Sequence, residues 1–121
     1  DGRTPFHFAC ESGNIELVKM MMKDERIDLN ETDNNLDTPL HYACKQNVNY
    51  LLPLLMMKNE KIDLCKINSF SFNPFHYCCE FGSLELYLEM IKDKRINKNK
   101  KNSNKLTYFH LACKNKNDDR I

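Results

Sequence analysis

The sequence predicts an all-α solenoid of helix-turn-helix units joined by β-turn fingers, on three observations. One seven-residue phrase is written four times, as Thr4-Pro5-Phe6-His7-Phe8-Ala9-Cys10, Thr38-Pro39-Leu40-His41-Tyr42-Ala43-Cys44, Asn73-Pro74-Phe75-His76-Tyr77-Cys78-Cys79 and Thr107-Tyr108-Phe109-His110-Leu111-Ala112-Cys113. Its histidines are 34, 35 and 34 residues apart, and a fixed period of that size marks stacked supersecondary units. Each copy also opens on helix-start chemistry, a Thr or Asn able to cap, with proline in the first helical position of all but the last copy, where Tyr108 stands. The units expected from this period span about 1–34, 35–68, 69–102 and an incomplete 103–121.

Along the chain, Asp1-Gly2-Arg3 reads as the end of a β-turn in which Gly2 takes positive φ. The first helix follows Thr4 and stops at Gly13. Asn14 caps a second helix, in which Ile15, Leu17, Val18, Met21 and Met22 recur at helical spacing. Ile27-Asp28-Leu29-Asn30 returns the chain to Asp33-Asn34-Asn35-Leu36-Asp37, a projecting finger. In the second unit Asn35 is the residue expected to take the left-handed conformation, because Leu36 is a poor candidate for it. Pro53 falls about one turn after an expected cap at Asn49, where a missing N–H costs little. The extra residue of this unit is expected near Met56-Met57, in the helix or its exit. In the third unit Ser83 is the expected cap of the second helix, with Leu84, Leu86, Leu88 and Ile91 as its apolar positions. The fourth unit stops one turn into its second helix, so the chain reads as part of a longer polypeptide in which Leu88 and Ile91 are partly uncovered.

The repeated phrase resembles the ankyrin repeat, whose core is Thr-Pro-Leu-His, a variable residue and Ala. The resemblance implies that the histidine is structural, tying turn to helix by hydrogen bonds. It also implies a protein–protein interaction module that binds through a concave face of finger tips and first helices. Carried over position by position, the recognition residues are Arg3, Glu11 and Ser12; Asn34, Asn35, Asp37, Lys45 and Gln46; Ser69, Phe70, Phe72, Glu80 and Phe81; and Ser103, Asn104, Leu106, Lys114 and Asn115. Phe70, Phe72 and Phe81 in one unit suggest an exposed aromatic anchor for a protein partner, since truncating such a residue commonly costs at least ~2 kcal/mol of binding.

Other chemistry has weaker support. His-x-x-Cys recurs on one helical face, but zinc needs four ligands within about 2.3 Å, and equivalent atoms of stacked helices stand on the order of 10 Å apart. The same spacing exceeds the ~7 Å limit for a disulfide. The six cysteines are therefore expected to be reduced thiols in an intracellular, cytoplasmic setting, with no metal or cofactor. A Cys–His pair copied four times is a building rule, where a catalytic pair is unique, and no acid–base pair or phosphate loop is present. An enzyme is not expected.

Charge is uneven: residues 1–60 carry six basic and ten acidic side chains, and 61–121 twelve and seven. The stretch Lys92–Lys105 holds Lys92, Lys94, Arg95, Lys98, Lys100, Lys101 and Lys105 against Asp93 alone. An alternative function is thus electrostatic docking of an acidic ligand or nucleic acid. The stretch lacks aromatics for base stacking, and a solvated helix end is the plainer reading. No run approaches the ~20 apolar residues of a membrane span.

Overall fold

In a computed structural model the described residues are 1–46, 48–81, 86, 88, 89, 92 and 93. They form α1 (Pro5–Ser12), α2 (Ile15–Met22), α3 (Pro39–Lys45), α4 (Leu51–Met57) and α5 (Pro74–Phe81), with no strand among the described residues. The first helices start as the repeated phrase dictates. Thr4 Oγ1 accepts from His7 N, and His7 Nδ1 accepts from Thr4 N at 3.0 Å. This is a capping box with histidine in the place usually held by glutamate. Thr38 and His41 repeat it, and Asn73 repeats it with His76, its Oδ1 accepting from His76 N at 3.1 Å and its N donating to Nδ1 at 3.0 Å.

The far side of the first two imidazoles reaches the next unit. Nδ1 of His7 faces two donors, the Thr4 N–H and hydroxyl, so the hydrogen-bond pattern assigns its proton to Nε2. Nε2 donates to the Asp37 carbonyl at 2.9 Å, and His41 Nε2 donates in the same way to Phe72 O at 2.9 Å. Both rings are fully buried. Around them α1 packs on α3 and α3 on α5, while α2 backs α1 and α4 backs α3. Ala9, Ala43 and Cys78 at equivalent positions are small enough for the helices to approach closely, and Phe6, Leu40, Phe75, Val18, Leu52 and Met56 fill the core. Leu86 is buried and Leu88 exposed.

Two turns differ from expectation. Asn14 caps α2 and Gly13 ends α1 at φ 74° as expected, but the extra residue of the second unit does not lengthen α4 or its exit. Both second helices leave through the same bonded turn, Ile27 N to Asp24 O and Ile62 N to Asn59 O. The extra residue lies between α3 and α4, where Gly13 has no glycine counterpart, and Gln46 in extended conformation opens a longer connection. The cap position of α4 is Tyr50, one residue later than expected. Asn49 still accepts from Leu51 N at 3.0 Å, and Pro53 occupies the third helical position, where an N–H would have no intrahelical partner.

The fingers supply the second correction. Leu36 itself, not Asn35, adopts positive φ (62°), and Ser71 does so at 63°. The cause is the preceding carboxylate: Asp33 Oδ1 accepts from Asn35 N at 2.9 Å and Asp37 N at 3.0 Å, and Leu36 N closes on Asp33 O at 3.0 Å. These bonds fix every neighbour and leave Leu36 to take the left-handed turn, at a cost of roughly 1–2 kcal/mol. Asn68 builds the same frame under Ser71, accepting from Phe70 N and Phe72 N.

Burial lowers the pKa of His41 below the usual imidazole value, against the opposing pull of its carbonyl partner and Asp37. The sign follows from linkage: below about pH 6.5 the unfolded chain binds a proton that the folded chain refuses, so this contribution is fully present above that pH and is lost as the pH falls. Chemical denaturation between pH 7.5 and 5.5 should show stability declining on the acid side, and replacing His41 by Gln should flatten that decline.

Candidate partner-binding face

The finger and first-helix face is covered by a ladder of rings and cations that runs through three units. The residue after each of the first three histidines is aromatic: Phe8, Tyr42 and Tyr77. The Arg3 guanidinium lies 4.0 Å from the Phe8 ring centroid and 4.7 Å from that of Tyr42. The Lys45 ammonium lies 5.4 Å from the Tyr42 centroid and 4.6 Å from that of Tyr77. Each such contact is worth about 0.5–1 kcal/mol at a half-exposed site, and here two cations are held each between two rings.

Acids lock the ladder from below. Arg3 pairs with Glu11 at 2.5 Å, Lys45 reaches Asp37 at 3.4 Å, and the Tyr42 hydroxyl donates to Asp33 Oδ2. Burial would raise the Asp33 pKa, but the Tyr42 hydroxyl and the Asp37 and Asn35 N–H groups outweigh it and hold the carboxyl below its usual range. Burial and the bond to Asp33 push the Tyr42 hydroxyl the other way, well above an ordinary tyrosine. At neutral pH the pair is therefore a phenol donating to a carboxylate.

The fingers stand above this ladder and are tied edge to edge. Ser69 N and Oγ both donate to Asn35 O at 2.9 Å. Their tips are apolar: Leu36 is 49% exposed and Phe70 is 60% exposed. The family model for ankyrin repeats (three copies) matches residues 1–68, more than half of the chain. The chain belongs to the ankyrin repeat family. Among curated proteins this ankyrin chain is 40% identical over 52 residues to "Ankyrin repeat domain-containing protein SAT10" of Stachybotrys chartarum, a match covering 42% of the chain and 3% of that protein. It is 37% identical over 43 residues to "Alpha-latrotoxin-Lhe1a" of Latrodectus hesperus, covering 36% of the chain and again 3% of the relative. The chain thus spans a small fraction of the length of either relative.

The ankyrin recognition positions named from sequence fall into distinct groups. Arg3, Glu11 and Lys45 lie together in the ladder, and Phe70 is exposed at a tip. Asp37 is not on the surface: it is 3% exposed, and its carboxylate takes the Asn68 amide at 2.8 Å as well as Lys45. Phe72 is half-buried against the core, tilted on the Tyr77 ring at 5.1 Å and the His76 ring at 5.7 Å, while its carbonyl receives His41. The expected patch of three phenylalanines therefore loses Phe72, because a residue that carries an inter-unit bridge is drawn inward with it. Phe81 ends α5 and Glu80 is half-buried, but the Phe81 side chain lies outside the described residues, as do Leu106, Lys114 and the rest of the fourth unit. Of the basic stretch only Lys92 and Asp93 are described, and Lys92 pairs with Glu89 at 2.9 Å.

Ser12 and Gln46 brace turns. Ser12 Oγ donates to Ala9 O at 2.7 Å and accepts from Asn14 N. The Gln46 amide makes four bonds, donating to Ala43 O and Asn49 O and accepting from Val48 N and Asn49 N. It fills the role of the missing glycine, and its Oε1 stands where a Cβ on Gly13 would come within 2.9 Å. Phe8, Tyr42, Tyr77 and Leu36 were missed as site residues. The first three were legible as a column of large residues one place after each histidine, a position treated as merely variable. Replacing Gln46 by Ala should cost about 1–3 kcal/mol of stability by orphaning the turn's backbone groups, lowering the thermal midpoint by several degrees. A mutant that melts unchanged would return Gln46 to the list of surface contacts.

Proposed function

We propose that this ankyrin chain is a protein-interaction module without catalytic activity, and that its partner docks on the finger tips and the ladder beneath them. The observation that carries the reading is the pair Leu36 and Phe70. Leu36 spends conformational energy in a left-handed turn that glycine would take more cheaply, and then leaves half its side chain in water. The finger calls for a left-handed residue here, but the exposed leucyl side chain adds nothing to that turn. A neighbouring tip adds Phe70, and apolar groups standing proud of a polar frame are where interfaces concentrate their energy. The ladder supports the same reading, since side chains already held in place lose little further freedom when a partner arrives. Free thiols at Cys10, Cys44 and Cys78 support an intracellular, reducing setting. No observation among the described residues favours the electrostatic alternative.

The double variant Leu36→Gly, Phe70→Ala separates fold from function. Its stability should match or exceed the parent's by up to ~1 kcal/mol, because strain is removed. Its affinity for a protein partner isolated with the parent should fall tenfold or more. A variant that loses stability, or that holds the partner unchanged, would overturn this assignment of the tips.

A further inference from the structure

Two buried thiols meet where α3 packs on α5. Cys10 and Cys44, which end the repeated phrase in the first two units, are buried, and the residue before each is an alanine, Ala9 or Ala43. In the third unit that alanine position holds Cys78, buried in turn. The exchange sets a second sulfur against α3: the Cys78 thiol hydrogen-bonds to the Cys44 sulfur across the contact between the two helices. The repeat keeps equivalent residues such as Cys44 and Cys79 on the order of 10 Å apart. Cys44 and Cys78 are not equivalents, so that separation does not hold between them.

Hydrogen-bonded sulfurs need to close by about 2 Å to reach the bonding distance of a disulfide. The pair is flanked by the ladder: Lys45 follows Cys44, Tyr77 precedes Cys78, and the Lys45 ammonium stands 4.6 Å from the Tyr77 ring centroid. With the units closed the thiols are sealed from water, Cys44 at 1% exposure and Cys78 at 0%. Burial, helped by the bond with Cys44, also holds the Cys78 thiol well above its usual pKa. A protonated, enclosed thiol does not attack a disulfide. Reaction at this pair therefore waits for α5 to separate locally from α3.

We propose that Cys44 and Cys78 form a site of reversible oxidation, at which a low-molecular-weight disulfide such as oxidised glutathione converts the two thiols to an intrachain disulfide joining unit 2 to unit 3. When α5 lifts, the thiolate of one cysteine attacks a glutathione sulfur; a mixed disulfide forms and one glutathione leaves as its thiolate. When α5 returns, the second cysteine attacks the protein sulfur of the mixed disulfide, which forms the Cys44–Cys78 bond and releases the second glutathione. The two cysteine protons end on the two glutathione thiolates, so two protein thiols are oxidised as one glutathione disulfide is reduced. An excess of reduced thiol runs the same exchange backwards. The cross-link holds Tyr77 beside Lys45 in the arrangement that the ladder already has, and it stands independently of the partner proposed for that face.

The test is incubation of the protein with oxidised glutathione at neutral pH, with and without urea below the unfolding midpoint. Peptide mapping without reductant should recover a pair of peptides joined through Cys44 and Cys78, and urea should speed its appearance by favouring the open state. The oxidised protein should melt at least about 5 °C higher than the parent, and dithiothreitol should restore the parent midpoint. Cys78→Ala installs the residue that the first two units carry at this position, so the fold is retained; it should abolish both the cross-link and the gain. Absence of the Cys44–Cys78 pair, a lasting mixed disulfide with glutathione at either cysteine, or a gain that survives Cys78→Ala would overturn the proposal.

Discussion

In each of the first two units one imidazole carries the constraint on which the rest of the structure depends. His7 and His41 each close a helix cap with one ring nitrogen and reach the next unit's backbone with the other. Local and non-local order are thus the same bond network. The cap positions the ring, the ring positions the following finger, and the finger's carbonyl is the group the ring needs. Buried polar groups are costly unless paired, so a unit displaced from its neighbour leaves both an N–H and a carbonyl unsatisfied. Apolar packing of Phe6, Leu40 and Phe75 supplies the bulk of the driving force; the imidazole sets the register in which that packing occurs.

The face above inherits its geometry from this arrangement. Each aromatic of the ladder follows a repeat histidine by one residue, so Phe8, Tyr42 and Tyr77 are spaced by the period of the repeat. His7 and Tyr42 meet edge to face at 5.3 Å, which ties the buried layer to the exposed one. Arg3 and Lys45 then fit between rings because the spacing is already set. The face proposed for docking is therefore preformed by the repeat spacing.

Much of the fold was legible because the repeat is redundant. A Thr or Asn start with a histidine three residues after the cap, written again in the following units, leaves little freedom in where first helices begin, and Gly13 and Asn14 mark the first hairpin equally plainly. What sequence missed were places where a side chain substitutes for a missing residue. Nothing local announces that Gln46 will do a glycine's work, or that Asp33 will hold its neighbours so firmly that Leu36 must turn left-handed. The site was less legible for a related reason. Recognition positions carried over from the family are averages, and Asp37 and Phe72 are drawn inward by contacts with Asn68 and His41 that exist only once units stack. The ladder was missed because its cations come from a finger and from a helix end, positions brought together by the fold alone.

The most direct test of the bridging account is the protonation state of the imidazoles themselves, read by nitrogen-15 NMR of His7 and His41 at neutral pH. The account predicts the Nε2–H tautomer at both, with Nδ1 unprotonated and an Nε2 proton observable through slow exchange with water. A signal from the Nδ1–H tautomer, or averaged shifts of a freely titrating ring, would contradict it.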